Sequence, residues 1–99
     1  MSVHMVKSKI RPESVADVQA LTEKMFAAIN AAQPEGIRYA SCLLLDGETF
    51  VALLEVDDGE HNPVPGFAEF QELLERVEGS RAEPPSFEPL TVIGSYRLF

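Results

Sequence analysis

The sequence predicts a small α+β domain of β-α-β-β-α-β order, with four antiparallel strands and two helices on one face of the sheet. Two stretches, roughly 15–32 and 66–78, place apolar residues at three- and four-residue steps, the period of a half-buried helix. Four others, roughly 2–10, 37–45, 49–57 and 90–99, are rich in strand-forming residues and are separated by Pro, Gly and Asp. At 99 residues the chain can build one core but not two, so 1–99 is read as one domain.

In the first strand Val3, Met5, Val6 and Ile10 are interleaved with polar residues, and Pro12 stops it. "SVAD" at 14–17 has the form of a capping box, with Ser14 as the cap and Asp17 three positions on. Val15, Val18, Leu21, Met25, Phe26, Ile29 and Ala32 then form the apolar face of the first helix, which "QPEG" at 33–36 ends. The second and third strands flank Asp46-Gly47, a hairpin signal. An acidic, proline-rich loop, "DDGEHNPVPG", leads to the second helix, whose apolar face carries Phe67, Phe70, Leu74 and Val77 and which Gly79 closes. "SRAEPPSFEP" reads as an extended, proline-broken connection and "LTVIGSYRLF" as the last strand. Right-handed crossovers put both helices on the same side of the sheet, the ferredoxin-like arrangement.

Sixteen acidic residues against eight basic ones leave a formal charge of −8. That opposes binding to nucleic acid or to an anionic membrane, both of which rely on Lys and Arg. No apolar run reaches the roughly 20 residues of a membrane helix, and "MSVHMVKSKIRPES" lacks the apolar centre of a signal peptide. Cys42 is the only cysteine, so no internal disulfide is possible. A cytoplasmic protein is the expectation.

The hairpin carries apolar residues on both of its faces. A tight turn groups Ile37, Tyr39, Ser41, Leu43 and Leu45 with Phe50, Ala52, Leu54 and Val56, the bulkier set, assigned here to the helices. The other face carries Arg38, Ala40, Cys42 and Leu44 with Thr49, Val51, Leu53 and Glu55, and Arg38 and Glu55 are placed to pair across the strands. Four strands make a sheet about 19 Å wide, which two helices cover once. The uncovered face, roughly 500 Å², is as large an apolar patch as a soluble monomer usually exposes. A homodimer packed sheet to sheet resolves this. In the last strand, Leu90, Val92, Tyr96 and Leu98 fall on one face and Ile93 and Phe99 on the other.

This architecture, together with "EGIRYASCLLLDGETFVALLEVDDG" and "LTVIGSYRLF", resembles the dimeric α+β barrel superfamily, and within it the small antibiotic biosynthesis monooxygenase-like proteins. The resemblance covers the whole chain. It implies a homodimer, and it points to one of three kinds of protein: cofactor-free oxygenases of polycyclic phenols, haem-degrading enzymes, or proteins without assigned activity. Characterised members of both enzyme groups use a Trp, and this chain has none.

Candidate residues follow from the face assignments. Tyr39, on the helix side, either orients a phenolic substrate through its hydroxyl or is a core tyrosine with its hydroxyl at the rim. Ser41 and His4 line the same space if the first strand is in register, with His4 as the candidate for proton abstraction. Phe26, Phe67 and Phe70 are core residues that also suit the walls of an aromatic pocket. His61 stands beside Asp57, Asp58 and Glu60 in the acidic loop without a metal-ligand spacing, so no metal site is predicted; Asn62 shapes the turn before Pro63. Cys42 is packing material on the dimer face. Arg81 and Arg97 are surface residues able to meet an anionic ligand.

Two readings of function stand side by side. One is a cofactor-independent oxygenase of a small phenol- or quinol-type molecule, free of flavin, haem and metal, since no Gly-rich phosphate loop is present. The other is a non-catalytic homodimer that binds a small molecule or serves a structural role. RNA binding through the same strand order is disfavoured, because "TFVALLEV" lacks stacking aromatics and basic residues.

Overall fold

In the computed structural model, which describes residues 2–98, the predicted order is present. It runs β1 (Ser2–Lys9), α1 (Val15–Ala32), β2 (Ile37–Leu43), β3 (Thr49–Val56), α2 (Ala68–Ser80) and β4 (Ser86–Leu90). Short 3-10 turns at Pro12–Ser14 and Val64–Gly66 precede the two helices. All neighbouring strands are antiparallel, in the order β2-β3-β1-β4. Both helices pack on one face of this sheet, around a core of Ile10, Val18, Met25, Ile29 and Leu73. Among the described residues no helix is long and apolar enough to cross a membrane.

The hairpin has the predicted register. Tyr39 pairs with Leu54, Ser41 with Ala52 and Cys42 with Val51. Asp46 holds its turn: Oδ1 accepts the backbone N–H groups of Glu48 and Thr49 at 2.8 and 2.9 Å, and Oδ2 accepts the Thr49 hydroxyl at 2.6 Å. Gly47 at φ 74° lets the chain reverse beside it. Gly36, the residue before β2, has φ 82°, and a Cβ there would lie 2.7 Å from Glu60 Cγ. The acidic loop therefore folds back onto the hairpin, and Asp57 N–H donates to the Gly36 carbonyl at 2.9 Å.

Four expectations are corrected. The capping box does not form. Ser14 belongs to the 3-10 turn, with φ −106° and ψ −5°, and its hydroxyl makes no cap; an N-cap side chain needs a backbone that has not yet turned helical. The second helix starts at Ala68 and runs through Gly79 to Ser80. Gly79 is not left-handed there, because Arg11 takes over the end: its Nη2 donates to the Gly79 carbonyl at 2.8 Å and its backbone N–H to the Ser80 carbonyl at 2.9 Å. Phe67 is the extended residue before that helix rather than part of its apolar face, and Leu73, unnoticed in the sequence, is its buried residue. The fourth strand is Ser86–Leu90, inside the supposed connection, and not 90–99. Pro89 is tolerated because β4 is an edge strand pairing only with β1. Residues 91–98 form no strand; Ile93 and Tyr96 are 99% and 82% exposed, and Phe99 lies outside the described residues.

On the face away from the helices, Arg38 and Glu55 do pair, and the Glu55 side chain is fully buried. Its second oxygen, Oε2, has no hydrogen-bond partner. The middle of this face, Ala40, Leu53 and Met5, is half-buried, and Cys42 is exposed.

The hairpin anchor has a pH signature. Hydrogen bonds from the Thr49 hydroxyl, then from the backbone N–H groups of Glu48 and Thr49, lower the Asp46 carboxyl from 3.8 to about 2. A depressed acid stabilises the fold fully above its unfolded value, and this stabilisation is lost as pH falls through the folded value. Asp46→Ala should therefore be less stable than wild type at pH 7, with the gap closing between about pH 4 and pH 2. Urea denaturation across that range checks it, and a gap that does not narrow as pH falls from about 4 to 2 would refute the assignment.

Candidate functional site

The sheet register decides which side chains meet beneath the helices. Because β3 pairs with both β1 and β2, helix-facing residues fall into cross-strand rows. Tyr39, Leu54 and His4 form one row, and Ser41, Ala52, Val6 and Phe87 form the next. Phe50 and Ser8 form a third, and Ile10 lies beyond it. Ser8, Ser41 and Ala52 are small, while Phe70, Leu74 and Val77 of α2 stand over them. The helices rest on the larger neighbours and leave a gap.

That gap is a cavity of about 180 Å³. Tyr39, Ser41, Ala52 and Phe70 line its middle, Val18 and Thr22 of α1 close one side, and Arg81 stands at the Ile10 end. An apolar cavity of about 150 Å³ is enough to hold benzene. A second concavity of about 270 Å³ adjoins it, sharing Val6, Tyr39, Ala52 and Phe70 and continuing to His4 and Asn62. The two adjoin between helices and sheet, and their lining residues together span β1 from His4 to Ile10, roughly 20 Å at the rise of a strand.

Tyr39 stands where the two parts join. Its ring packs against Phe26, centroids 4.9 Å apart and planes inclined by 39°, which fixes its orientation. Burial raises the phenol above its ordinary value of 10.0, so it is a proton donor throughout the neutral range. His4 is exposed at the mouth, in the same row but two strands away, about 10 Å between backbones. Asn62 shapes its turn as expected, Oδ1 accepting the Val64 N–H at 3.0 Å, and it also borders the His4 end.

The structure thus brings Tyr39, Ser41, Phe70 and His4 around one space. Phe26 supports Tyr39 from behind and borders a separate surface depression near Pro34. Phe67 packs on the core and lines neither part of the space. Arg97 lies over the Tyr96 ring in the exposed tail. Among the described residues no group of three His, Cys, Asp or Glu side chains is placed to hold a metal ion. Sequence reasoning put Arg81 on the surface. Its place at the cavity follows from the bridge between Ile10 and Arg81, a pairing with no local sequence signal.

No family model and no curated relative matches the sequence. Solved structures do match its fold. An antibiotic biosynthesis monooxygenase superposes with a TM-score of 0.71 at 14% identity, over 95% of this chain and 100% of that one. Rv0793 from Mycobacterium tuberculosis gives 0.71 at 17% identity, over 95% and 96% of the two chains. A conserved protein from Methanosarcina mazei Go1 gives 0.70 at 18% identity, over 91% of each. At these identities the likeness is one of fold, the ferredoxin-like fold of antibiotic biosynthesis monooxygenase structures.

Ala52 borders both parts of the space, so Ala52→Leu should fill it. Wild type is expected to take up xenon or a small aromatic probe such as benzene, and the variant to lose most of that uptake. Its stability should stay within about 1–3 kcal/mol of wild type, the usual range for overpacking. Xenon-pressurised crystals and thermal melts test this, and equal uptake by both proteins would show that the probe sits elsewhere.

Proposed function

We propose that this protein is a cofactor-independent oxygenase of a small phenol- or quinol-type molecule, related in function as well as fold to the antibiotic biosynthesis monooxygenases. One observation carries the reading: a half-buried tyrosine lines an apolar space large enough for an aromatic ring, with a histidine in the same row. The fold alone hosts many functions, so it is the chemistry of this cavity that favours an oxygenase.

The chemistry asked of the chain is modest. An anthrone-type substrate loses a proton from its activated methylene, with an imidazole nitrogen of His4 accepting it. The resulting anion reduces dioxygen, and the new C–O bond gives a peroxide anion that takes the proton back from the His4 imidazolium to become a hydroperoxide. Loss of water leaves the carbonyl, so one O₂ is consumed for each water formed. Tyr39 donates a hydrogen bond to the phenolate oxygen, favouring the ionised form, and the apolar walls of Phe70, Ala52 and Val6 exclude water from the anion. Phe26 keeps Tyr39 in place.

The proposal includes a homodimer through the sheet face away from the helices. Ala40, Leu53 and Met5 in mid-sheet and the apolar side chains at 90–98 support a second copy as its cover. Leu53→Asp should convert a dimer to a monomer or an aggregate. Sedimentation of wild type as a monomer at micromolar concentration would refute the dimer.

The catalytic test is oxygen uptake by metal-free protein over a panel of anthrones, naphthols and hydroquinones. Tyr39→Phe is expected to lower kcat/KM roughly ten- to a hundredfold, the range for a lost hydrogen bond to a charged group, and His4→Ala to lower kcat. Uptake that both variants retain in full discards the residue roles. Binding without uptake across the panel supports instead the non-catalytic small-molecule-binding dimer.

A further inference from the structure

We infer that the substrate carries an anionic group, most simply a carboxylate, at the end of its aromatic body away from the reacting ring, and that Arg81 is the residue that binds it. The inference rests on reading the space between helices and sheet as the substrate site. Its basis is an unpaired cation. Arg81 lines the narrower cavity, and its Nε is buried with no hydrogen-bond partner. None of the ion pairs among the described residues includes it, although the chain has twice as many acidic as basic residues. A buried guanidinium N–H without an acceptor loses its water and gains nothing in return. An oxyanion in the cavity supplies the missing acceptor, and the planar fork of arginine suits a carboxylate.

The backbone holds this residue firmly. Arg81 leaves α2 in an extended conformation, φ −65° and ψ 136°, and forms an antiparallel bridge with Ile10. The next residue, Ala82, donates its N–H to the Lys9 carbonyl at 2.8 Å, and Arg11 caps the helix end just before it. The arginine therefore stands at the Ile10 end of the space. Tyr39 and His4 belong to the row three steps away along β1, roughly 20 Å between backbones at the strand rise, a separation that the long Tyr39 and Arg81 side chains, both lining the smaller cavity, shorten to the length of a two-ring aromatic. The two ends differ chemically: a fixed cation at one, a phenol donor and an imidazole at the other. A ligand that satisfies both is elongated, with an ionised acid at one end and a phenolic hydroxyl at the other.

The test compares 6-hydroxy-2-naphthoate with its neutral analogue 6-(hydroxymethyl)-2-naphthol, by fluorescence titration of the wild-type protein, Arg81→Gln and Arg81→Lys. The acid is expected to bind wild type roughly ten- to a hundredfold more tightly than the alcohol, as for a charge-assisted hydrogen bond. That ratio should fall to about one in Arg81→Gln and lie between the two in Arg81→Lys. Because each ratio is taken within one protein, general damage to the cavity lowers both affinities and leaves the ratio in place. Equal affinities in wild type overturn the inference without needing any variant, as does a preference that survives in Arg81→Gln. In both cases continued binding of the neutral naphthol leaves the oxygenase reading intact. Failure of both molecules to bind overturns the reading of the space as a substrate site, and this inference with it.

Discussion

Two helices can cover one face of a four-stranded sheet and no more, and the rest of this molecule is arranged around that limit. Side chains alternate along each strand, so every residue of β1 and β3 is committed either to the helices or to the other face. β3 is apolar in both directions, and β1 adds Val6 on one face and Val3 and Met5 on the other. On the helix side they hold the core and the cavity. On the other side Leu53 and Met5 are left half-buried beside the fully buried Glu55, whose pairing with Arg38 keeps a carboxylate inside an otherwise apolar row. A buried charge missing its partner would be strongly unfavourable, so this pair also pins the register of β2 against β3.

The cavity has the same origin. A sheet that packs tightly against two helices needs large side chains in every helix-facing row. Here the middle of the sheet offers Ser8, Ser41 and Ala52, and the aromatic and aliphatic residues of α2 cannot descend far enough to fill the space. Polar groups then enter from separate elements: Tyr39 from β2, His4 from β1, Asn62 from the acidic loop and Arg81 from the end of α2. None of these is near another in sequence, which is usual for a site assembled by a fold and not by a motif.

Elements far from the cavity set its shape. Asp46 locks the hairpin whose register aligns Tyr39 with Leu54 and His4. Arg11, in the short turn after β1, caps α2 and fixes where that helix ends, which in turn decides that Arg81 faces the cavity. Gly36 admits Glu60 against the start of β2, drawing the acidic loop in so that Asn62 borders the His4 end. Stability and site geometry are thus carried by many of the same contacts.

The sequence by itself determined the element order, the antiparallel pairing of β2 with β3, the sharing of faces across that hairpin and the Arg38–Glu55 pair. All are local or depend on a single turn: periodicity identifies the helices, Asp46-Gly47 sets the register, and alternation does the rest. It also singled out Tyr39 and Ser41, which face assignment puts beneath the helices, whereas the place of His4 hung on the register of β1, which only the fold supplied. Tertiary structure decided the remainder. Whether Ser14 caps α1 depended on the 3-10 turn before it, and the end of α2 on an arginine 68 residues away. The last strand went to Ser86–Leu90 because an edge position tolerates Pro89 and β1 pairs with it there, while the more hydrophobic 91–98 does not become a strand. Phe67 and Phe26 parted from the cavity for a similar reason: composition shows that an aromatic will be buried, but only packing shows against what. Arg81 is the sharpest case. Nothing in its neighbours distinguishes it from a surface arginine, and only the long-range bridge to Ile10 brings it to the cavity.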